Sequence, residues 1–262
     1  MKYNSSNLPD SMVNRPKSNM FLQAFKLLVS ISLIFLLFYI ILMISLNFIV
    51  DNISYSQEQK LASMLSFEVE EDIMKDMYLQ EITDKLLVCA NLDYPITTYI
   101  VEQKEPNAFA LPGGKIYITR GMLRLLRNEN ELATIIGHEI GHFRHKDHLK
   151  GFGNSLILGV LSSFFGNEYG KLFQTSLHLS NAKFSQSAEY SADTFAIDII
   201  ACSYKDVTAT TTLFERMDDS KKWEYFLESH PDFGSRIEGM KSRIAEKNYP
   251  KSGKIVPLKE KF

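Results

Sequence analysis

The chain has 262 residues and a formal net charge of −2, which suits one well-buried domain with appendages and is short for two full domains. The near-neutral charge argues against a nucleic-acid partner, because such proteins carry a strongly basic surface. Two cysteines, Cys89 and Cys202, cannot form a disulfide framework or a four-thiolate zinc site. They can form one disulfide or stay as two small buried side chains, and the sequence leaves both open.

An uncharged apolar stretch, Leu27–Val50, follows a polar N-terminal tail. As a helix it would be roughly 36 Å long, which is enough to cross a hydrocarbon core of about 30 Å. It is longer than the apolar core of a cleavable signal peptide, and no small-residue cleavage site follows it. We therefore predict a single helix that anchors the chain in a lipid bilayer.

The charges on either side of this stretch predict its orientation. Four basic residues and one acidic residue precede it, whereas acidic residues dominate the segment that follows. The positive-inside tendency then predicts a cytoplasmic tail at residues 1–26, a transmembrane anchor at 27–50, and everything after it outside the cytoplasm. In a bacterium, that places the remaining domain on the periplasmic face of the inner membrane.

The rest of the chain, a domain at residues 51–250 and a C-terminal tail at 251–262, mixes helices with a few short strands. The periodicity of apolar residues predicts helices at Ser56–Ala90, from Asn128 toward Lys150, and at Phe184–Ile200, Asp206–Glu228 and Asp232–Glu246, with strands at Thr97–Gln103 and Lys115–Thr119. Phe152–Phe165 is a second apolar stretch, too short to span a bilayer. This order predicts an α+β domain that is mainly helical with a small β-sheet, preceded by one transmembrane helix.

The sequence HEIGH, from His138 to His142, lies on the helix that begins near Asn128. Two histidines four residues apart share one face of a helix, so both imidazoles can reach one zinc ion at about 2.1 Å. Glu139 points in a neighbouring direction, where it can take a proton from water that zinc activates for attack on a peptide carbonyl. The pattern predicts a metallopeptidase with one zinc ion per subunit.

The third zinc ligand has two candidates. His148 lies six residues after His142, but without a helix-breaking glycine between them the helix would continue and turn His148 about 120° away, so we reject it. Glu189, on a separate helix, would complete a His₂Glu site that leaves one position open. Asp193, one turn further, could accept a hydrogen bond from a ligand imidazole. The simpler interpretation of this carboxylate pair is a solvated acidic face. His145 lies one turn too far along to share the metal.

Four sequence blocks occur in an order that is typical of one peptidase family. They are NAFALPGGKIYITRGML at residues 107–123, GHEIGH at 137–142, SAEYSADTFA at 187–196 and SHPDFGSRI at 229–237. Together they resemble the gluzincin metallopeptidases of the HtpX and CAAX-prenyl-protease type, which include BepA- and Oma-type quality-control proteases. The resemblance spans about residues 97–243 and implies a zincin-like metallopeptidase fold.

The resemblance implies a substrate-binding role for the first block. In the family this stretch is an edge strand beside the active-site cleft, which would bind unfolded or extended protein segments by β-addition. The substrate-binding residues would be Asn107, Ala108, Phe109 and Ala110. The simpler interpretation of Asn107 is that it shapes a turn.

The resemblance also implies roles for two residues near the C-terminus. His230 would lie near the metal and stabilise the oxyanion of the tetrahedral intermediate, or else mark only the start of a helix. Arg236 would pair with Asp193 behind the site. These roles, together with HEIGH and Glu189, describe a membrane-anchored zinc endopeptidase that cleaves unfolded or misfolded envelope or membrane proteins.

Two other functions remain open. The chain could be a membrane-tethered adaptor or chaperone that uses the same peptide groove without turnover, although such a module has no need of Glu139 as a general base. It could also be a latent enzyme in which His230 occupies the fourth zinc position. The chain has one convincing span, fewer than HtpX-type members, and no tetratricopeptide array, so the family's substrates do not carry over. The oligomeric state stays unknown.

Overall fold

The computed structural model describes residues 19–65, 72–92, 95–154, 184–217, 223, 226, 229–230, 232–259 and 262. These residues belong to two compact units, Met1–Ser45 and Leu46–Phe262. Most of the predicted apolar stretch Phe152–Phe165 and part of the predicted helix Asp206–Glu228 lie outside the described residues.

Helix α1, Met20–Asn52, contains the predicted anchor. It is the one helix in the described part of the chain that is long and apolar enough to cross a membrane. Apolar side chains on all its sides are exposed, and only Val50, near its end, is buried. A long helix with exposed apolar side chains on every side is suited to a lipid environment.

The unit that begins at Leu46 combines helices with one four-stranded sheet. The helices are α2 (Tyr55–Leu65), α3 (Met77–Ala90), α4 (Arg120–Leu123), α5 (Glu129–Arg144), α6 (Gln186–Tyr204), α7 (Thr212–Met217) and α8 (Phe233–Glu246). The strands are β1 (Ile73–Lys75), β2 (Thr97–Val101), β3 (Ala108–Leu111) and β4 (Lys115–Thr119). This order confirms the predicted α+β class.

The sheet has the order β1-β2-β4-β3, with β2 and β4 parallel and the other pairs antiparallel. Strand β3 therefore lies at an edge. The turn from β3 to β4 uses Gly113 and Gly114 at φ of 91° and 75°, where a side chain would add strain. Ala108, Ile116 and Ile118 place one face of the sheet in the main core, which it shares with α3 and α5.

Helices α5 and α6 approach closely because small residues face each other. A Cβ placed on Gly141 would lie 2.7 Å from the Cα of Ala192, and one on Gly137 would lie 3.4 Å from the Cβ of Ala196. The first distance is a steric overlap and the second an ordinary contact. The glycines of HEIGH and the alanines of SAEYSADTFA thus bring the two helices together.

Cys89 on α3 and Cys202 on α6 form a disulfide, with their Cα atoms 6.0 Å apart. This settles the alternatives that the sequence left open. The bond joins the two helices that flank α5, across a sequence separation of 113 residues. A cross-link that closes so long a loop removes much conformational freedom from the unfolded chain.

Three predicted helices were wrong in extent. The predicted helix Ser56–Ala90 is two helices with β1 between them, because Ile73–Lys75 pairs with β2. The helix predicted to run toward Lys150 ends at Arg144, because Lys146 adopts a left-handed φ of 55° before a new helical segment at residues 147–154. The helix predicted at Asp206–Glu228 starts later than expected, because residues 206–211 form a turn and α7 begins at Thr212. Most of the range 218–228 lies outside the described residues.

Candidate active site

Helix α5 carries the HEIGH residues into the centre of the domain. Asn128 caps its first turn by accepting a hydrogen bond from the Glu131 N–H at 3.0 Å, which satisfies a donor that a helix start leaves unpaired. Every residue from Glu129 to Phe143 is buried. Its apolar side chains face the core that α3, α6 and the sheet complete, and its imidazoles face α6 and the segment around His230.

Four side chains place ligand atoms within 4.8 Å of one another, namely His138, His142, Glu189 and His230. The Nε2 atoms of His138 and His142 are 3.0 Å apart. Glu189 places Oε1 3.4 Å from His142 Nε2 and Oε2 3.6 Å from His138 Nε2. The three groups that the sequence predicts as a His₂Glu set therefore converge on one point, although they come from two helices about 50 residues apart.

The hydrogen bonds behind the two imidazoles fit a metal at that point. His138 Nδ1 lies 2.8 Å from Asp193 Oδ1, and His142 Nδ1 lies 3.1 Å from Asp147 Oδ2. Because a carboxylate only accepts hydrogen bonds, each Nδ1 carries a proton. If the ring is neutral, its Nε2 then carries a lone pair that can bind a metal. Two lone pairs 3.0 Å apart repel each other unless a cation lies between them.

Asp147 is a functional candidate that the sequence reasoning missed. It lies five residues after His142, which would be on another face of a continuous helix. It reaches His142 because α5 ends at Arg144 and the chain turns through Lys146. No glycine or proline marks that turn, so the sequence carries little signal for it.

Arg236, on α8, neutralises the carboxylates behind the site. It donates to Asp193 from Nε at 2.7 Å and from Nη2 at 2.8 Å, and its Nη1 lies 2.7 Å from Glu189 Oε2. Burial acts to raise the pKa of Asp193, but the charge of Arg236 outweighs it and lowers this pKa. The pKa of Glu189 also falls well below its ordinary value, because cationic neighbours outweigh its burial.

The two HEIGH imidazoles have opposite pKa shifts. Burial lowers the pKa of His138, which is therefore neutral at pH 7. At His142 burial also favours the neutral ring, but hydrogen bonds to Asp147 and Glu189 outweigh it and raise the pKa to about 10. A metal ion at this site takes the place of that proton, since a ligand imidazole must be neutral.

Glu139 is buried beside the same cluster and has no hydrogen-bond partner among the described residues. Both of its carboxylate oxygens are buried and make no hydrogen bond, and the same is true of His230 Nε2. His230 Nε2 is 3.8 Å from Glu139 Oε1, while His230 Nδ1 is 3.1 Å from Glu189 Oε1 and 3.2 Å from His138 Nε2. Buried polar atoms without partners are costly, and they mark the place where a reactant or ion binds.

The two other histidines of the cluster make contacts elsewhere. His145 ends α5, and its Nδ1 lies 2.9 Å from the Gly141 carbonyl oxygen. His148 Nε2 lies 3.0 Å from Glu58 Oε1. The argument that a continuing helix turns His148 away from the metal was wrong, because the helix ends before it. His148 contacts Glu58 and is not among the four residues whose ligand atoms converge.

The stretch from Asn107 to Ala110 lies at the open edge of the sheet. The Thr119 N–H donates to the Asn107 carbonyl at 2.9 Å, so in an antiparallel ladder Asn107 and Phe109 face β4, while Ala108 and Ala110 turn their backbone groups outward. The Ala108 N–H donates to Asn107 Oδ1 at 3.0 Å, and Asn107 Nδ2 is buried without a partner. Among the described residues, no strand pairs with β3 on its other side, although Ala108 and Ala110 are themselves buried.

A buried cluster of two histidines and a glutamate with a third histidine, beside a second glutamate that has no hydrogen-bond partner, has the composition of a zincin-type metallopeptidase site. The model of peptidase family M48 matches residues 74–244 of the chain. The chain therefore belongs to this family of metallopeptidases, and the resemblance drawn from the four sequence blocks is confirmed.

The chain is similar to several curated members of this class. It is 26% identical over 189 residues to the mitochondrial metalloendopeptidase OMA1 of Schizosaccharomyces pombe, covering 65% of this chain and 53% of that protein. It is 26% identical over 161 residues to the metalloprotease LoiP of Escherichia coli, covering 58% and 64%. The beta-barrel assembly-enhancing protease of Yersinia pestis is 25% identical, with 66% and 39% covered. The chain thus spans less than two thirds of the length of these relatives.

Proposed function

We propose that the chain is a membrane-anchored zinc endopeptidase that cleaves unfolded or misfolded segments of envelope or membrane proteins. The observation that carries this proposal is the pairing of two buried features. One is the convergence of His138, His142 and Glu189, and the other is the Glu139 carboxylate, whose two oxygens have no hydrogen-bond partner among the described residues. A binding module would gain nothing from an unpaired buried carboxylate, which costs stability.

The chain's own residues would divide the work as follows. His138, His142 and Glu189 would hold one zinc ion, which supplies a Lewis acid that lowers the pKa of water toward about 7. Glu139 would accept the proton as general base and later deliver it to the leaving amine. Asp193 and Asp147 keep the Nδ1–H tautomers of the two imidazoles, so that Nε2 faces the metal.

The open edge of β3 supports an extended polypeptide as the substrate. The carbonyl of Ala108 and the backbone groups of Ala110 would pair with the substrate strand, while the Ala108 N–H stays bound to Asn107 Oδ1. The buried Nδ2 of Asn107 would donate to a substrate carbonyl. Backbone hydrogen bonds depend little on the side chains of the substrate, so this mode of binding suits the cleavage of unfolded proteins with varied sequences. The side chain of Phe109 stacks on Tyr117 with ring centroids 5.4 Å apart, on the sheet face opposite Ala108 and Ala110, and would contact the substrate from there.

The anchor and the disulfide support a location at the membrane outside the cytoplasm. Residues 27–50 would span the bilayer, and the domain at 51–250 would face the periplasm of a bacterium, with residues 1–26 in the cytoplasm. Disulfides persist in oxidising compartments, and the bond between Cys89 and Cys202 is consistent with this side of the membrane. The relatives include the beta-barrel assembly-enhancing protease of Yersinia pestis, which supports an envelope substrate.

The experiment that tests this function compares the full chain in detergent with Glu139→Gln. We expect both to bind about one zinc per chain, while cleavage of an unfolded protein such as casein falls about 10²–10⁴-fold in the variant. Equal cleavage by the two proteins would refute the role of Glu139. Zinc binding without cleavage by either protein would favour the adaptor or chaperone function.

A second candidate function, a latent enzyme, rests on the position of His230. Its Nδ1 lies 3.2 Å from His138 Nε2 and 3.1 Å from Glu189 Oε1, which is close enough to serve as a fourth ligand and exclude water. A His230→Ala variant separates the two roles. Faster cleavage than wild type would support latency, and a fall of about 10²–10³-fold would support stabilisation of the oxyanion.

A further inference from the structure

Helix α2, which directly follows the anchor, is held to the domain by a carboxylate. Glu58 is 2% exposed and is the one buried side chain described on this helix, while Gln57 and Gln59 beside it are exposed. A surface helix normally buries an apolar stripe. A buried charge in that position is costly unless it is paired, so its partners indicate what the helix is for.

Glu58 joins two parts of the active site. Its Oε1 accepts a hydrogen bond from the Gly113 N–H at 2.8 Å and lies 3.0 Å from His148 Nε2. Gly113 belongs to the turn at the end of the edge strand β3. His148 is buried, and its Nδ1 lies 3.3 Å from the carbonyl oxygen of His142. One carboxylate therefore contacts both the turn that follows strand β3 and the segment that follows the proposed zinc ligand His142.

The packing around Glu58 makes the same connection. A Cβ on Gly113 would lie 3.1 Å from the Cβ of Ala62, and one on Gly114 would lie 3.5 Å from the Tyr55 hydroxyl. Helix α2 thus rests directly on the β3–β4 turn. This contact is independent of the Glu58 hydrogen bonds.

Lys146 ties the end of the anchor to the same segment. Its Nζ donates to the carbonyl oxygens of Val50, Asp51 and Ile53 at 2.9–3.0 Å. Val50 and Asp51 lie in the last turn of α1 and Ile53 follows it, and a helix leaves the carbonyls of its last turn without intrahelical partners. Lys146 directly precedes Asp147, which contacts His142, and His148 directly follows it. The residues on both sides of Asp147 are therefore held, Lys146 by the end of α1 and His148 by Glu58.

We propose that Glu58 is a positioning residue of the active site. Through Glu58, the membrane-proximal helix α2 keeps His142 and strand β3 in fixed positions relative to each other. The inference rests on the proposed function. Glu58 touches neither the metal position nor the substrate edge, and it acts through His148 and Gly113. Its loss should therefore weaken zinc binding and substrate binding together, whereas a residue that only stabilises the fold would change neither.

The test uses the full chain in detergent, with Glu58→Ala, Glu58→Gln and the control Asp206→Ala. Asp206 is also a buried carboxylate that accepts backbone hydrogen bonds, from Thr208 and Ser252. None of these three residues belongs to the group whose ligand atoms converge. The measurements are the zinc Kd by chelator competition, kcat and KM on an extended fluorogenic peptide, and Tm. We expect Glu58→Ala to raise the zinc Kd about tenfold, the low end for outer partners of metal ligands, and to raise KM.

Glu58→Gln keeps an acceptor for the Gly113 N–H and a hydrogen-bonding group for His148, so zinc Kd and KM should stay within about threefold of wild type. Asp206→Ala should lower Tm without changing either constant. The inference is wrong if Glu58→Ala matches Asp206→Ala in zinc Kd and KM while wild type binds zinc and cleaves. If wild type binds no zinc, both this inference and the proposed function fail. Should Glu58→Ala not fold, Glu58→Asp, which is too short to reach both partners, replaces it with the same expected changes.

Discussion

Asp193→Asn tests whether the hydrogen bond behind His138 prepares the site for zinc. Oδ1 of Asp193 accepts from His138 Nδ1 at 2.8 Å and from Arg236 Nη2 at 2.8 Å, and Oδ2 accepts from Arg236 Nε at 2.7 Å. An asparagine has the same shape but only one acceptor oxygen. Its amide must therefore either point NH₂ at an N–H of Arg236 or donate to His138 Nδ1, which moves the ring proton to Nε2.

Either orientation weakens zinc binding. In the first orientation the buried Arg236 loses a hydrogen bond. In the second orientation Nε2 of His138 carries the ring proton and has no lone pair for zinc. Loss of such an outer partner costs about 10–100-fold in metal affinity, which corresponds to about 1.4–2.8 kcal/mol. We expect the zinc Kd of Asp193→Asn, measured by chelator competition on the full chain, to rise by that factor.

Asp198→Asn is the matched control for this experiment. Asp198 lies on the same helix and pairs with both Nε and Nη2 of Arg243, at 2.9 and 2.6 Å, away from the metal position. It should lower stability without changing the zinc Kd. The tautomer of His138 does not control zinc binding if the zinc Kd of Asp193→Asn equals that of wild type. The same holds if Asp193→Asn and Asp198→Asn raise the zinc Kd by the same factor.

Three further predictions concern packing, the disulfide and pH. Gly141→Ala should lower the free energy of chemical unfolding by about 1–3 kcal/mol, because its Cβ would overlap the backbone of α6 at 2.7 Å. The nearest contact of a Cβ on Gly137 is 3.4 Å, so Gly137→Ala should lower the same free energy by less than about 1 kcal/mol. Replacing Cys89 and Cys202 together by serine should lower the unfolding free energy by about 2–5 kcal/mol, and an unchanged midpoint would show that the bond does not stabilise the fold. Hydrogen bonds lower the pKa of Asp206 to about 2 against the cost of its burial. A depressed pKa stabilises the folded state above the unfolded pKa of about 3.9, so the advantage over Asp206→Asn should be full at pH 6 and disappear as the pH falls from about 4 to 2.

The parts of the site that follow from local spacing could be predicted from the sequence. HEIGH brings His138 and His142 to one helix face whatever the rest of the fold does, and the small residues facing Gly137 and Gly141 follow from the same periodicity. The prediction of Glu189 required the recognition of a second helix with a carboxylate near its start. Each of these inferences depends only on the 3.6-residue repeat of a helix.

The parts that depend on a break in regular structure could not be predicted. Asp147 reaches His142 only because Lys146 adopts a left-handed conformation, which glycine or asparagine would have signalled and lysine does not. Strand β1 has three residues, too few for an alternating pattern to stand out from the helices around it. Glu58 looks like one more charge on a polar helix, since its burial is set by partners 55 and 90 residues away.

The central claim is that His138, His142 and Glu189 hold one zinc ion. X-ray absorption at the zinc edge, measured on the zinc-loaded full chain and on Glu189→Ala, tests it most directly. We predict one zinc per chain with imidazole nitrogens at about 2.0–2.1 Å and a carboxylate oxygen at about 2.0–2.2 Å, and loss of that oxygen, with weaker binding, in Glu189→Ala. Identical spectra and affinities for the two proteins, or no zinc at stoichiometric level in the wild type, would contradict the claim.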